Sequence, residues 1–353
     1  MGTAKYSKII EELRREILSG KYEAGSGFPS GAELAGYFGV SRPTINRVMY
    51  ELRREGLVTT RPGGAPRLTR FAQHATGALG IIHPGVRYGD VLSNICEELV
   101  KIGDRHGWDI VTIELATETP EARLEEMIEA IRRFADERVA GLLFQPFEHL
   151  KAEKSGVRRF WSELARCNMP VVFLDHNPQM GYGSVGYDLV SMDNVRAGAG
   201  LGRELLARGH GKLAYLLKPG SPPSCIDRMR GVASAAIEAG LAWSRGANVL
   251  ECEPDNIRAV RNFLRSENPD AIVCSNDAMA MELYRTVGRI KGTGPVKIAG
   301  FDNHPEAAKL GITSVVQPCA EIAEIAFQTL LARMRNPTLP PRTITVADRG
   351  IVG

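Results

Sequence analysis

The chain has 353 residues, 44% hydrophobic and 24% charged, with a formal net charge of +3. That is ordinary for a soluble globular protein and enough for about two or three domains with large cores. No apolar run approaches the ~18 residues of a membrane-crossing helix. The first residues, Met1-Gly2-Thr3-Ala4-Lys5, lack a secretory apolar region. The six cysteines (Cys96, Cys167, Cys225, Cys252, Cys274, Cys319) are scattered, with no C-x-x-C pair. Metal spacing, a Walker lysine and a nucleophile elbow are all missing, so the expectation is a cytoplasmic protein with no membrane association, no catalytic residues, no metal and no cofactor.

The first element is a helix from Tyr6 to Ser19, with Ile10, Leu13 and Ile17 inward and Gly20 as its stop. Ser30-Gly31-Ala32-Glu33 then has the pattern of a capping box opening a short helix that carries Leu34, Ala35 and Phe38. Gly39 breaks that helix, and Ser41 caps another, in which Pro43 is tolerated because first-turn amides have no helical partner. Ile45, Val48, Met49 and Leu52 follow at i, i+3, i+4 and i+7, so one face is buried. The opposite face carries Arg42, Asn46, Arg47, Arg53 and Arg54. Two short helices across a tight glycine turn, the second exposing cations and an amide, have the geometry that enters a DNA major groove. Past Gly56 come Leu57–Thr60, a turn at Arg61-Pro62-Gly63-Gly64-Ala65-Pro66, and Arg67-Leu68-Thr69: strand, turn, strand, or a wing. Residues 1–70 hold 12 Lys+Arg and 7 Asp+Glu, a net of +5, while the remainder holds 32 and 34, a net of −2. Positive charge is concentrated where phosphate would be met.

This stretch resembles the GntR-family winged helix-turn-helix over nearly all of its 70 residues. The run is Tyr6…Ile17-Leu18-Ser19-Gly20…Phe28-Pro29-Ser30…Glu33-Leu34-Ala35…Phe38-Gly39-Val40-Ser41-Arg42…Thr44…Leu52…Glu55-Gly56-Leu57-Val58. The resemblance implies DNA contacts through the start of the recognition helix and the wing tip: Arg42, Thr44, Asn46, Arg47, Arg61, Gly63, Gly64 and Arg67. Three departures are visible. Ala32 stands where an Arg is common, Asn46 where a second Arg often is, and Gly63-Gly64-Ala65-Pro66 replaces the usual Gly-x-Gly-Thr wing. An operator unlike the family's commonest one is expected.

From Ala78 onward short β-rich runs alternate with helix-length segments. The runs are Leu79–Ile82, Ile110–Ile113, Gly141–Phe144, Val171–Leu174, Leu213–Leu216, Ala271–Cys274 and Val296–Ala299. This is βαβ winding around parallel sheets, and about 275 residues call for two lobes. Ligands bind at the carboxyl ends of such strands, where Asp175, Asn276-Asp277 and Asp302 stand, with Arg228 opening the helix after the Leu213 run. Acids, amides and a guanidinium suit a neutral polyol, whose hydroxyls both donate and accept. The plainer alternative is that each strand-end residue merely caps the next helix. Gly198-Ala199-Gly200-Leu201-Gly202 imitates a phosphate loop but falls inside a helical stretch, where close packing of small residues explains it better.

Residues 77–353 resemble the effector domain of the lactose/galactose repressor family, itself similar to periplasmic sugar-binding proteins. The signatures are Pro170–Asp175, Val190–Asn194, Gly209-His210, Arg228…Gly231, Ser275-Asn276-Asp277…Ala280, Gly300-Phe301-Asp302 and Thr313–Pro318. The resemblance implies effector contacts at Asp175, Arg228, Asn276, Asp302 and Gln317, with Arg87 added from the loop Pro84–Asp90. The expected whole is an α/β chain: a winged helix-turn-helix over 1–70, a linker over 71–77, and a two-lobed periplasmic-binding-protein-like domain with parallel sheets over 78–353. The combination is similar to the arabinose-operon repressor type. It implies a regulator that binds a palindromic operator DNA as a homodimer and answers to a sugar or sugar-like small molecule between the lobes. An enzyme or a sugar-transport component on the same two-lobed fold is the alternative. Lactose-repressor relatives place a hinge helix at the joint. Here only Arg70–Gly77 is left for it, barely two turns, so an extended linker is expected.

Overall fold

The computed structural model describes residues 2–18, 21–22, 28–54, 57–59, 65–68, 77–83, 91–116, 119–146, 154–176, 186–292 and 294–353. The wing tip, the linker and the loop with Arg87 lie outside them, and so do the expectations for Arg61, Gly63, Gly64, Arg87 and the hinge.

Helix α1 (Gly2–Leu18) turns Ile9, Ile10, Leu13 and Ile17 inward. α2 (Gly31–Phe38) opens on a complete capping box: Ser30 Oγ accepts from the Glu33 amide and the Glu33 carboxylate accepts from the Ser30 amide. Gly39 closes it at φ 59°, the left-handed conformation that favours glycine. α3 (Arg42–Arg54) buries Ile45, Val48, Met49 and Leu52 against α1 and α2. β1 (Val58–Thr59) pairs antiparallel with β2 (Arg67–Leu68) as the wing.

The remaining chain is wound as alternating strands and helices. The first lobe takes β3 (Ala78–His83), α4 (Val91–His106), β4 (Asp109–Glu114), α5 (Pro120–Asp136), β5 (Gly141–Phe144), α6 (Lys154–Arg166), β6 (Val171–Leu174) and β7 (Asp188–Met192). The second takes α7 (Asn194–Ala207), β8 (Leu213–Leu217), α8 (Pro223–Glu238), α9 (Arg245–Asn248), β9 (Val249–Glu251), α10 (Ile257–Ser266), β10 (Ala271–Cys274), α11 (Asp277–Gly288), β11 (Lys297–Phe301), α12 (Pro305–Lys309) and β12 (Thr313–Val315). α13 (Cys319–Arg335) and β13 (Thr343–Val346) return to the first lobe, and β14 (Ile351–Val352) ends in the second.

The sheets run β13-β7-β6-β5-β3-β4 and β14-β12-β11-β10-β8-β9. All seven expected runs are strands. Five others, β7, β9, β12, β13 and β14, are two to five residues long and too short or mixed in burial to stand out. β14 is antiparallel to β12, so the second sheet is not wholly parallel.

Three connections join the lobes: Asp193 between β7 and α7, residues 316–318 between β12 and α13, and residues 347–350 between β13 and β14. The second and third are bonded to each other, and the first to the end of β13. The Asp193 amide donates to Val346 at 2.8 Å, and Val316 exchanges amide bonds with Gly350 and Arg349 at 2.9 Å each. The Gly198–Gly202 run lies inside α7, not between a strand and a helix. A Cβ on Gly198 would sit 2.1 Å from the Arg228 carbonyl oxygen, and one on Gly231 2.1 Å from that of Val195. α7 and α8 therefore touch backbone to backbone, and the contact holds the helix turn that carries Arg228.

Candidate DNA-binding face and effector cleft

On α3 the buried stripe fixes which side chains point outward. Arg42, Asn46 and Arg47 are exposed, and Thr44 is half-buried with its Oγ1 2.9 Å from Ser41 Oγ. The Arg47 guanidinium lies over the Tyr6 ring of α1, 4.6 Å from its centroid, a cation–π contact that restricts a long side chain. Arg67 stands exposed on β2. Arg42, Arg47 and Arg67 form no ion pair among the described residues. A Cβ on Gly31 would lie 3.8 Å from Asn46 Oδ1, so Asn46 faces the start of α2.

The second site collects at the carboxyl ends of the strands, beside the lobe connections. Asp175 follows β6 at φ 67° and Asp302 follows β11 at φ 112°. Non-glycine residues hold such dihedrals only where their surroundings enforce them, at a cost of about 1–3 kcal/mol each. Arg228, buried at 4% exposure on α8, is the hub. Its Nε donates to Asn194 Oδ1 at 2.8 Å and its Nη1 to the Ser275 carbonyl at 2.6 Å. Asp302 Oδ1 is 4.0 Å from the guanidinium, which lies over the Phe301 ring at 4.7 Å. Gln317, in the second lobe connection, donates Nε2 to Asp302 Oδ1 at 2.7 Å. Asp175 Oδ2 is 2.9 Å from His176 Nδ1 and accepts from Ser224 Oγ at 3.2 Å, so the first lobe's carboxylate touches the second lobe directly.

These contacts set the charges. Burial pushes the Asp175 carboxyl up, but the His176 hydrogen bond and the charges of His176 and Arg228 outweigh it, leaving it below the ordinary range. Burial opposes the Arg228 charge, yet Cys225, Asp302 and Asp175 together raise its pKa. Asp277 behaves oppositely. Burial raises its carboxyl to about 6, against the hydrogen bonds from the His304 amide and the Ser314 hydroxyl. A Cβ on Gly300 would lie 2.4 Å from Asp277 Oδ1, so that glycine makes room for the carboxylate.

Asp175, Arg228, Asp302 and Gln317 are thus brought together. Asn276 is the residue for which the plainer expectation holds. Its Oδ1 accepts from the Met279 amide at 2.9 Å and caps α11, which leaves its amide group to donate elsewhere. Asn194, Ser224, His176 and Phe301 join the cluster without having been singled out. Asn194 stood inside a recognised stretch, but nothing in local spacing marks Ser224, which faces Asp175 only because two lobes meet. Two surface hollows of about 310 and 550 Å³ lie at the opposite, amino-terminal ends of the second lobe's strands, and none of these residues lines them. No group of three or more His, Cys, Asp or Glu suited to a metal occurs among the described residues. No described helix is long and apolar enough to cross a membrane.

Comparison with known proteins matches residues 5–67 to the model of bacterial regulatory proteins of the gntR family, and residues 203–353 to a periplasmic binding protein-like domain. The arabinose metabolism transcriptional repressor of Geobacillus stearothermophilus is 24% identical over 93% of this chain and 90% of its own length. The ribose operon repressor of Escherichia coli K12 is 27% identical over 63% of this chain and 66% of its length. Among solved structures, a transcriptional regulator CelR–cellobiose complex superposes with a TM-score of 0.64 at 18% identity, covering 92% of this chain and 99% of its own. A LacI-family regulator from Enterococcus faecium with bound ribose gives 0.59 at 20%, covering 77% and 96%.

Proposed function

We propose that this chain is a sugar-gated repressor and not an enzyme, a reading supported by a GntR-type helix-turn-helix match over residues 5–67, a periplasmic-binding-protein-like match over 203–353 and relatives that are transcriptional repressors. A DNA-binding head also has no place in a transport component. The chain acts in the cytoplasm as a homodimer on a palindromic operator, through Arg42, Thr44, Asn46, Arg47, Arg67 and the wing residues Arg61, Gly63 and Gly64. Its effector is a neutral sugar or sugar derivative held by Asp175, Arg228, Asn276, Asp302 and Gln317, with Arg87 from the neighbouring loop. The relatives' named sugars, arabinose, ribose and cellobiose, support that class.

One observation carries the reading. The buried Arg228 is bonded to Asn194, the first residue of α7 after one lobe connection, and lies beside Asp302, which is bonded to Gln317 in another connection. A ligand whose hydroxyls displace or join those bonds acts on the hinge itself. Lobe closure then moves the dimer partners, and half-sites about 34 Å apart tolerate little rotation. A thermal-shift screen against neutral sugars, sugar acids and sugar phosphates tests this. A neutral sugar at 100 times its Kd raises stability by about 2.7 kcal/mol, and stabilisation by acids or phosphates alone refutes the effector class.

A further inference from the structure

The DNA-facing side of α3 continues beyond the residues assigned above. Tyr50 lies three residues after Arg47 and four after Asn46, hence on the same face, one turn further along. It is 60% exposed, on a helix whose other large apolar side chains, Ile45, Val48, Met49 and Leu52, are at most 5% exposed. Single exposed aromatics are common and need no explanation. The surroundings of this one are less usual. Arg47, one turn back, is fixed over Tyr6, and Arg53, one turn on, is tied down through its Nε to the Met49 carbonyl at 3.1 Å. Between them Tyr50 presents a hydroxyl with no hydrogen bond among the described residues, on an apolar ring. From Arg42 to Tyr50 is eight residues, about 12 Å of helix, which is also about the width of the major groove. A helix that enters the groove with Arg42 therefore brings Tyr50 to the strand bordering it.

Resting on the DNA-binding reading above, we infer that Tyr50 is a DNA-contact residue, its hydroxyl donating to a backbone phosphate at the edge of the groove and its ring covering the adjoining sugar. Tyrosine hydroxyls are among the donors that fix a protein's register on DNA without reading bases. The contact is neutral, so it should release no counterion, unlike the contacts of Arg42 and Arg47.

The test uses the full chain and a duplex that the wild-type protein itself enriches from a random-sequence pool. Tyrosine nitration is followed by mass spectrometry with and without the duplex. Tyr50 should lose most of its reactivity on DNA, while Tyr284, 44% exposed in the sensor, should keep its own. Tyr50→Phe should weaken binding about five- to tenfold, the range of one net hydrogen bond. Tyr50→Ala should weaken it further. Both should leave the salt slope unchanged, where Arg47→Ala reduces it by about 0.9. Undiminished Tyr50 nitration on DNA, or wild-type affinity in Tyr50→Ala, overturns this inference while the DNA-binding reading survives, provided Arg42→Ala loses affinity. Failure of the wild type to enrich any duplex overturns both.

Discussion

The two proposed binding regions of this chain are built on opposite terms. On α3 and its wing the candidate side chains Arg42, Asn46, Arg47 and Arg67 are exposed, and the arginines carry no ion partners among the described residues. In the cleft they are buried or half-buried, bonded to one another, and gathered from the ends of β6 and β11, from α7 and α8, and from one lobe connection. The difference follows from the partner. DNA brings its own charge and water, and an exposed arginine loses little by waiting for it. A sugar brings only neutral hydroxyls, so the cleft must already hold its donors and acceptors satisfied and aligned. Substitutions should therefore separate the regions by stability: large losses at the cleft, almost none on the DNA face.

The largest loss is expected at the helix crossing behind the hub. Gly231→Val places a side chain where a Cβ alone would meet the Val195 carbonyl and the Ala199 amide at 2.1 and 2.6 Å. Backbone cannot yield as a flexible side chain can. The sensor should lose more than about 3 kcal/mol, read as a lowered urea midpoint. A loss below about 1 kcal/mol would mean the two helices are free to move apart.

A smaller, pH-dependent effect is expected at Asp277. Its carboxyl is raised from 3.8 to about 6 in the folded chain. The folded state thus holds a proton that the unfolded state gives up earlier. The associated stability is complete below about pH 4 and is lost as pH rises through 6, on the order of 2–3 kcal/mol. Urea midpoints measured from pH 4 to 7 should show this decline in the wild type and not in Asp277→Asn. Asp175, whose carboxyl is lowered, works in the other window, where stability disappears as pH falls through its folded value. Parallel curves for wild type and Asp277→Asn would disprove the first assignment.

The smallest stability effect belongs to Arg42. Arg42→Ala should change the urea midpoint by no more than about 0.5 kcal/mol, yet weaken operator binding by about 1–3 kcal/mol if it reads a guanine. Anisotropy titrations beside the melts decide it. A large stability cost here would erase the contrast between the regions.

The same contrast governs how much was legible in the sequence. The helix-turn-helix could be read almost residue by residue, because Ser30, Glu33, Gly39 and the Ile45–Leu52 stripe are local signals acting within a turn or two. The seven main strands were equally visible as short apolar runs between helices. In the cleft, the strand-end residues Asp175 and Asp302 do lie together with Arg228 and Gln317, since carboxyl ends of parallel strands converge. Their bonding was hidden. That Ser224 crosses to Asp175 depends on how the two lobes come together, and that Arg228 reaches Asn194 depends on the packing of α8 against α7; the Asn276 cap, by contrast, is a local contact within one helical turn. β9, β13 and β14 were missed for a related reason: strands of two to four residues exist only because a neighbouring strand supplies the ladder.

The central claim is that the cleft controls the DNA face through Arg228, and one coupled titration tests it most directly. Affinity for the enriched duplex is measured with and without a saturating stabilising sugar, in the wild type and in Arg228→Ala. The wild type should change its DNA affinity by at least about fivefold, the lower end of ordinary allosteric coupling. Arg228→Ala should bind DNA as the unliganded wild type does, show sugar affinity reduced by about 2 kcal/mol or more, and no longer respond. A sugar that binds the wild type without altering its DNA affinity, or an Arg228→Ala protein that still responds in full, would contradict it.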